Sequence, residues 1–204
     1  MKDSLSVPVV SIDTPFSATD AEYTNIGLED FEAAKEMTRY LFSMGHRKIA
    51  FFSLTEGGEL LEKHYIDSER YRGFKEAMEE EGLVAEGWHN LSFVEEIRKK
   101  QYFSFYEENF FHATALFFTA DIMALEMMRF CMDRGISIPE KLSVVGFDGI
   151  KAGRCMHPTL TTMEQDSAEK GRKAVKELLF LLEEGKGDYK NIRLPVHLFI
   201  GETV

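Results

Sequence analysis

The side chains best placed for chemistry are Asp148 and Arg70. Asp148 follows the apolar run Val144-Val145-Gly146-Phe147, which reads as a buried strand and sets the carboxylate at its carboxyl end. A carboxylate there can accept two hydrogen bonds, from neighbouring hydroxyls of a sugar or from ring N–H groups. The other reading is an Asp-Gly turn residue, common wherever a strand bends sharply. Arg70 lies in the first turn of an expected helix, within Ser68-Glu69-Arg70-Tyr71-Arg72-Gly73-Phe74, and offers a planar fork of donors to a polyol. A solvated surface arginine is its alternative. Asp121 also follows a strand and starts a helix, where the ordinary role is an N-cap accepting a backbone N–H. Among the rings of Trp88, Phe93, Tyr102, Phe103, Phe105, Tyr106, Phe110 and Phe111, helical spacing assigns several to core or interface. Phe93, just before a helix, is the ring expected near a ligand, stacked on the apolar face of a sugar or base.

Nothing assembles into a catalytic set, so a non-enzyme is expected. The six histidines show no HxxxH or HExxH spacing, and no metal or other cofactor is implied. There is no GxSxG elbow, no GxxxxGK[ST] loop and no GxGxxG. Carboxylate runs such as Glu79-Glu80-Glu81 read as solvated helix ends.

The elements that must position these residues alternate along the chain. Strands are expected over 7–12, 23–28, 48–53, 113–119, 142–147 and 194–200. Helices are expected over 30–44, with Asp30 as cap and Gly45 as stop, over 69–81 closed by Gly82, and over 94–111. Two more are expected over 122–134 ended by Gly135 and over 166–184, with a long loop over 54–68. Strand and helix in regular alternation imply a parallel sheet with right-handed crossovers. Ligands of such sheets lie beyond the carboxyl ends of the strands.

The bulk composition narrows the class. The 204 residues suffice for one large α/β domain or two lobes sharing a hinge. Net charge is −11, which repels phosphate and makes the chain itself a poor DNA binder. Cys131 and Cys155 are expected as buried free thiols in a reducing cytosol. Residues 1–6 lack the apolar run of a signal peptide, and no stretch is apolar for long enough to span a bilayer, so a cytoplasmic protein is expected.

An ordered set of segments covering nearly the whole chain resembles the core of the lac/gal repressor (LacI/GalR) family. The set comprises Val7-Pro8-Val9-Val10-Ser11-Ile12-Asp13, Gly45-His46-Arg47-Lys48-Ile49-Ala50-Phe51 and the run from Ser68 through Phe74 to Met78. It continues with the segment from Phe117 to Leu125, then Gly135-Ile136-Ser137-Ile138-Pro139 and Ser143-Val144-Val145-Gly146-Phe147-Asp148-Gly149. It ends with His157-Pro158-Thr159-Leu160-Thr161-Thr162, Gln165-Asp166 and Gly171. The resemblance implies an α/β fold of the type I periplasmic-binding-protein kind, two lobes with parallel sheets, the N-terminal lobe only partly present. It places a partial N-terminal lobe at 1–45, a C-terminal effector-binding lobe at 46–163, a returning N-terminal segment at 164–194 and the last strand of the C-terminal lobe at 195–204. Crossovers would fall near Gly45, near residues 163–165 and near Pro195. By the same resemblance Arg70 and Asp148 take two effector-binding positions, Asp30 lies near a further one, and Phe93 lies near the stacking aromatic.

The implied function is a sensing and dimerisation module of a DNA-binding transcriptional regulator, its effector a carbohydrate, its operator DNA bound through a helix-turn-helix headpiece absent from this chain. Three departures bear on this. Headpiece and first half-lobe are missing, Ala120 stands where many members carry a polar group, and segments 54–68 and 94–111 leave the family pattern. Homodimerisation has separate support in helix 122–134, whose Met123, Leu125, Met127, Met128, Phe130 and Met132 exceed one buried face, with Met156 nearby. A thoroughly buried core helix is the alternative. Two other functions stay open: an extracytoplasmic sugar-binding protein of the same fold, and a small α/β hydrolase using Asp121 or Asp148.

Overall fold

The computed structural model describes residues 7–13, 23–54, 65–85, 88–109, 112–184 and 189–204. Residues 55–64 of the expected loop and the rings of Phe110 and Phe111 lie outside them.

In β5 (Ala115–Phe118) every residue is buried, and successive side chains enter opposite cores. Phe117 meets Phe51 of β3 (Ile49–Leu54) and the helices α1 (Asp30–Ser43) and α2 (Tyr65–Glu80). Leu116 and Phe118 face α3 (Glu95–Asn109) and α4 (Asp121–Asp133). Helices on both faces are what a fully buried parallel sheet requires, since neither face can be left to water. The large sheet runs β4-β3-β5-β6-β7-β9, with β4 Trp88–Leu91, β6 Ser143–Asp148, β7 Thr161–Gln165 and β9 Val196–Phe199. All its pairs are parallel except β7 with β9. A second sheet has the order β1-β2-β8, from Val10–Ile12, Thr24–Leu28 and Asn191–Leu194, all parallel. Helix α6 (Ser167–Glu184) packs on its β1 and β2.

The helices expected at 30–44 and 122–134 end at their expected stops. Gly45 and Gly135 sit at φ 94° and 66°, and the amide after each bonds back into the last turn, His46 to the Leu41 carbonyl and Ile136 to that of Cys131. Helix α2 begins at Tyr65, four residues before the expected Glu69. Strand β4 was not expected, because its sequence WHNL buries only Leu91 at a sheet edge. Neither was β7, nor the one-turn helix α5 (Lys151–Arg154). The single strand expected over 194–200 is two, in different sheets, separated at Pro195, which has no N–H for a ladder. Beyond β9 the chain stays embedded: Thr203 is buried, its carbonyl accepts from Val144 N, and its hydroxyl accepts from Thr161 N at 2.9 Å.

The chain passes from the small sheet to the large one at Glu29, between β2 and α1, and not at residue 45. Helix α1 lies against α2, β7 and β9, with Ala33, Ala34, Met37 and Leu41 in the core beneath the large sheet. Its apolar stripe follows the helical period, and the large sheet is where that stripe can be buried. The later changes of sheet fall between β7 and α6 and at Pro195. Of the two thiols, Cys131 is buried, whereas Cys155 is exposed just after α5.

Candidate functional site

Strand ends of both sheets meet around one set of charges. Asp148 closes β6, with its backbone at φ 116°, and its carboxylate accepts from Gln165 Nε2 at 2.8 Å. Gln165, the last residue of β7, accepts in turn from the ammonium of Lys170 on α6. Lys170 Nζ also reaches Asp13 Oδ1 at 2.6 Å, one residue beyond the end of β1. A continuous hydrogen-bonded path therefore joins a strand-end carboxylate of the large sheet to a strand-end carboxylate of the small one.

Arg70 is not a solvated surface residue. Its side chain is 7% exposed, Nε donates to Asp30 Oδ1 at 2.8 Å and Nη1 donates to the Thr119 carbonyl at 2.5 Å. The guanidinium lies 3.5 Å from the centre of the Phe147 ring, which holds its plane by cation–π attraction. Two of its five N–H donors are thus committed and the fork is fixed beside the residue that precedes Asp148. Burial pushes the Asp148 carboxyl above the usual carboxylate range, opposed by Arg70, the Gln165 amide and Lys170. Burial likewise raises Asp30, opposed by the Arg70 charge and hydrogen bond.

Two expected caps are corrected. Helix α1 starts with Asp30 inside it, and the capping position is Glu29, which makes no side-chain cap bond. Asp30 turns its carboxylate to Arg70, because a buried carboxylate gains more from a guanidinium than from one backbone amide. Asp121 is also inside its helix, and the capping position is Ala120, again without a side-chain cap bond. The Asp121 carboxylate reaches forward to other strands, accepting from Ile150 N at 2.8 Å and from Thr162 Oγ1 at 2.6 Å.

Arg70, Asp30 and Asp148 therefore come together. Phe93 does not join them. It is half-exposed in the turn after β4, its carbonyl accepting from Arg98 Nη1 at 3.1 Å. Strand β4 is separated from β6 by β3 and β5, which at ~4.8 Å per strand puts Phe93 ~14 Å along the row of strand ends. Asp13, Gln165 and Lys170 were not singled out beforehand. Asp13 follows an apolar strand just as Asp148 does, so the same strand-end argument could have found it. Lys170 has no local signal, since a lysine in a helix reads as solvated. Beside Asp148 a hollow of about 730 Å³ opens, with Gly149, Glu164, Gln165, Ser167 and His197 in its wall.

Residues 38–204 match the model of the periplasmic binding protein-like domain. The chain belongs to the periplasmic binding protein-like family. Within it, the sequence has the form of a LacI/GalR effector-binding core. It is 31% identical, over 98% of its length, to the HTH-type transcriptional repressor PurR of Haemophilus influenzae (strain PittEE), covering 58% of that protein. It is 28% identical, over 96% of its length, to the HTH-type transcriptional regulator MalR of Clostridium butyricum, covering 57% of it. The chain thus spans less than three fifths of these curated relatives. Among solved structures it superposes on the transcriptional regulator CelR in its cellobiose complex with a TM-score of 0.84, at 20% identity, over 97% of this chain and 59% of that one. The putative LacI regulator of Bacillus cereus subsp. cytotoxis gives 0.81 at 25% identity, over 97% and 68%. These relatives are transcriptional regulators. Among the described residues of this LacI-type core, no helix is long and apolar enough to cross a membrane.

Proposed function

We propose that this core is the effector-sensing and pairing module of a cytoplasmic LacI-type transcriptional regulator, without enzymatic activity of its own. The observation that carries the reading is the convergence of Arg70, on α2, with Asp148, at the end of β6, one a fixed fork of donors, the other a carboxylate held at an unusual backbone angle. Together they suit a molecule with adjacent hydroxyls, which can donate to Asp148 and accept from Arg70. A carbohydrate is the class proposed, in line with the cellobiose bound by the CelR neighbour. Bound between the lobes, it favours the lobe arrangement to which it binds better and so alters the fit of a DNA-binding headpiece to its operator.

Pairing with a second copy is proposed through α4. Met123, Met127 and Met128 are core residues, but Ile122 and Met132 are about half exposed on the outer side of the helix. The test is a thermal-shift titration with cellobiose, ribose and a wider saccharide panel, on the unsubstituted chain, Arg70→Ala and Asp148→Ala. A ligand bound by the folded state raises the melting temperature with concentration, by RT ln(1 + [L]/Kd) in free energy. The expected result is a rise in the unsubstituted chain that both variants lose. A rise retained in both would overturn the site.

A further inference from the structure

We propose that Asp121 is a positioning residue for the effector site, holding Asp148 in its left-handed conformation by clamping the amide of Ile150 just beyond it. This rests on the reading of Asp148 as an effector contact. Asp148 at φ 116° is in a region that residues with a Cβ avoid, and such a conformation persists only where the surroundings over-determine it. Gln165 touches the Asp148 side chain, but a bond to the carboxylate leaves the backbone torsion open.

The backbone is held from the other side. Asp121 is wholly buried, and its carboxylate takes the N–H of Ile150 at 2.8 Å. Thr162 Oγ1, on the neighbouring strand β7, donates to its other oxygen at 2.6 Å. The carboxylate therefore ties the first turn of α4, the turn after β6 and the start of β7 into one unit. Gly146 makes room for it, since a Cβ at that position would run into Asp121 Oδ1. Gly149 completes the turn at φ 72°, pressed against Glu164, whose Cγ would lie 2.6 Å from an added Cβ. With residues 149 and 150 pinned and β6 fixed by its ladder, the angle at residue 148 is what remains to join them. A carboxylate with donors from two other parts of the fold is more than a helix start needs, and the capping position of α4 takes nothing from it.

The test separates this role from ordinary burial. Asp121→Asn keeps the volume and removes the carboxylate. Its cost is measured as the fall in urea midpoint in two backgrounds, Asp148→Ala, which keeps a Cβ at φ 116°, and Asp148→Gly, which does not. Both backgrounds lack the Asp148 charge, so its repulsion of Asp121 is absent from the comparison. If Asp121 restrains a strained residue, removing it lets the alanine relax, so the fall in the alanine background is at most half that in the glycine background. Equal falls would overturn the proposal. Should Asp121→Asn fail to fold in either background, amide hydrogen exchange on the unsubstituted chain decides. Slow exchange at Ile150, beyond the end of the β6 ladder, is expected, and fast exchange there would overturn it. Neither measurement contains a ligand, so a failure here is distinct from a failure of the effector reading, which the saccharide titration tests.

Discussion

Lys170 and Asp13 meet at 2.6 Å between the carboxyl ends of the two sheets, and they are buried to different degrees: the lysine side chain is 6% exposed and the aspartate 34%. Removing one partner therefore does not cost the same as removing the other. Asp13→Ala strands a buried ammonium and is expected to cost about 3 kcal/mol, whereas Lys170→Met leaves a carboxylate that water still reaches and costs about 1 kcal/mol. Urea denaturation of the two variants checks the order, and the reverse order would count against the geometry of the path from Asp148 to Asp13.

The Asp30–Arg70 pair is buried on both sides, so it is expected to show the asymmetry between breaking and replacing. Asp30→Ala alone should destabilise by about 3–5 kcal/mol, because the Arg70 charge is left without its carboxylate. The double variant Asp30→Ala/Arg70→Met is expected to recover a large part of that loss. A double variant no more stable than Asp30→Ala would show that the Thr119 carbonyl and the Phe147 ring suffice to hold the arginine.

Two helical glycines should respond to alanine in opposite directions. A Cβ on Gly73 would collide with the Phe31 carbonyl oxygen where α1 and α2 approach, so Gly73→Ala is expected to cost about 1–3 kcal/mol. Gly171 in α6 has nothing within 4 Å of that position, and Gly171→Ala is expected to stabilise by about 0.5–1 kcal/mol through helix propensity. Thermal unfolding of the pair distinguishes steric contact from backbone entropy.

Burial pushes the Asp121 carboxyl up to about 7, against the hydrogen bonds from Thr162 and Ile150 that favour its charge. A folded pKa raised above the ordinary 3.8 means that the folded chain holds a proton that the unfolded chain has released. Its contribution to stability is complete below 3.8 and is lost as pH rises through about 7, by at most ~4 kcal/mol. Asp30 and Asp148 are raised as well and act in the same direction. Urea midpoints between pH 4.5 and 8 are expected to fall with pH, with a shallower fall in Asp121→Asn. An unchanged slope in that variant would assign the titration elsewhere.

The alternation of elements was legible because the strands of the large sheet are almost wholly apolar. Phe51, Phe117 and Val145 declare a buried strand without any knowledge of their neighbours. Strand β4 was not legible, since an edge strand that buries one leucine has no pattern to display. The strand-end argument found Asp148, and Arg70 came from its place beyond the loop. What the argument could not see was partnership. Asp30 is 40 residues from Arg70, and Asp121 is 41 from Thr162, so each looked like a local cap until the fold supplied a stronger partner. Lys170 was invisible for the same reason, its counter-ion lying at the other end of the chain.

Thr203 and the two short strands before it also constrain the order in which the molecule can come into being. The small sheet lacks an edge until 191–194 are in place, and the large sheet lacks one until 196–199 pair with β7. A ribosome delivers those segments after the strands they pair with. Until then, both sheets carry an unpaired strand whose amides and carbonyls are open to any neighbouring chain. The nascent polypeptide must be kept from its own kind until these two segments emerge, and sequestration by a chaperone matters most during that interval.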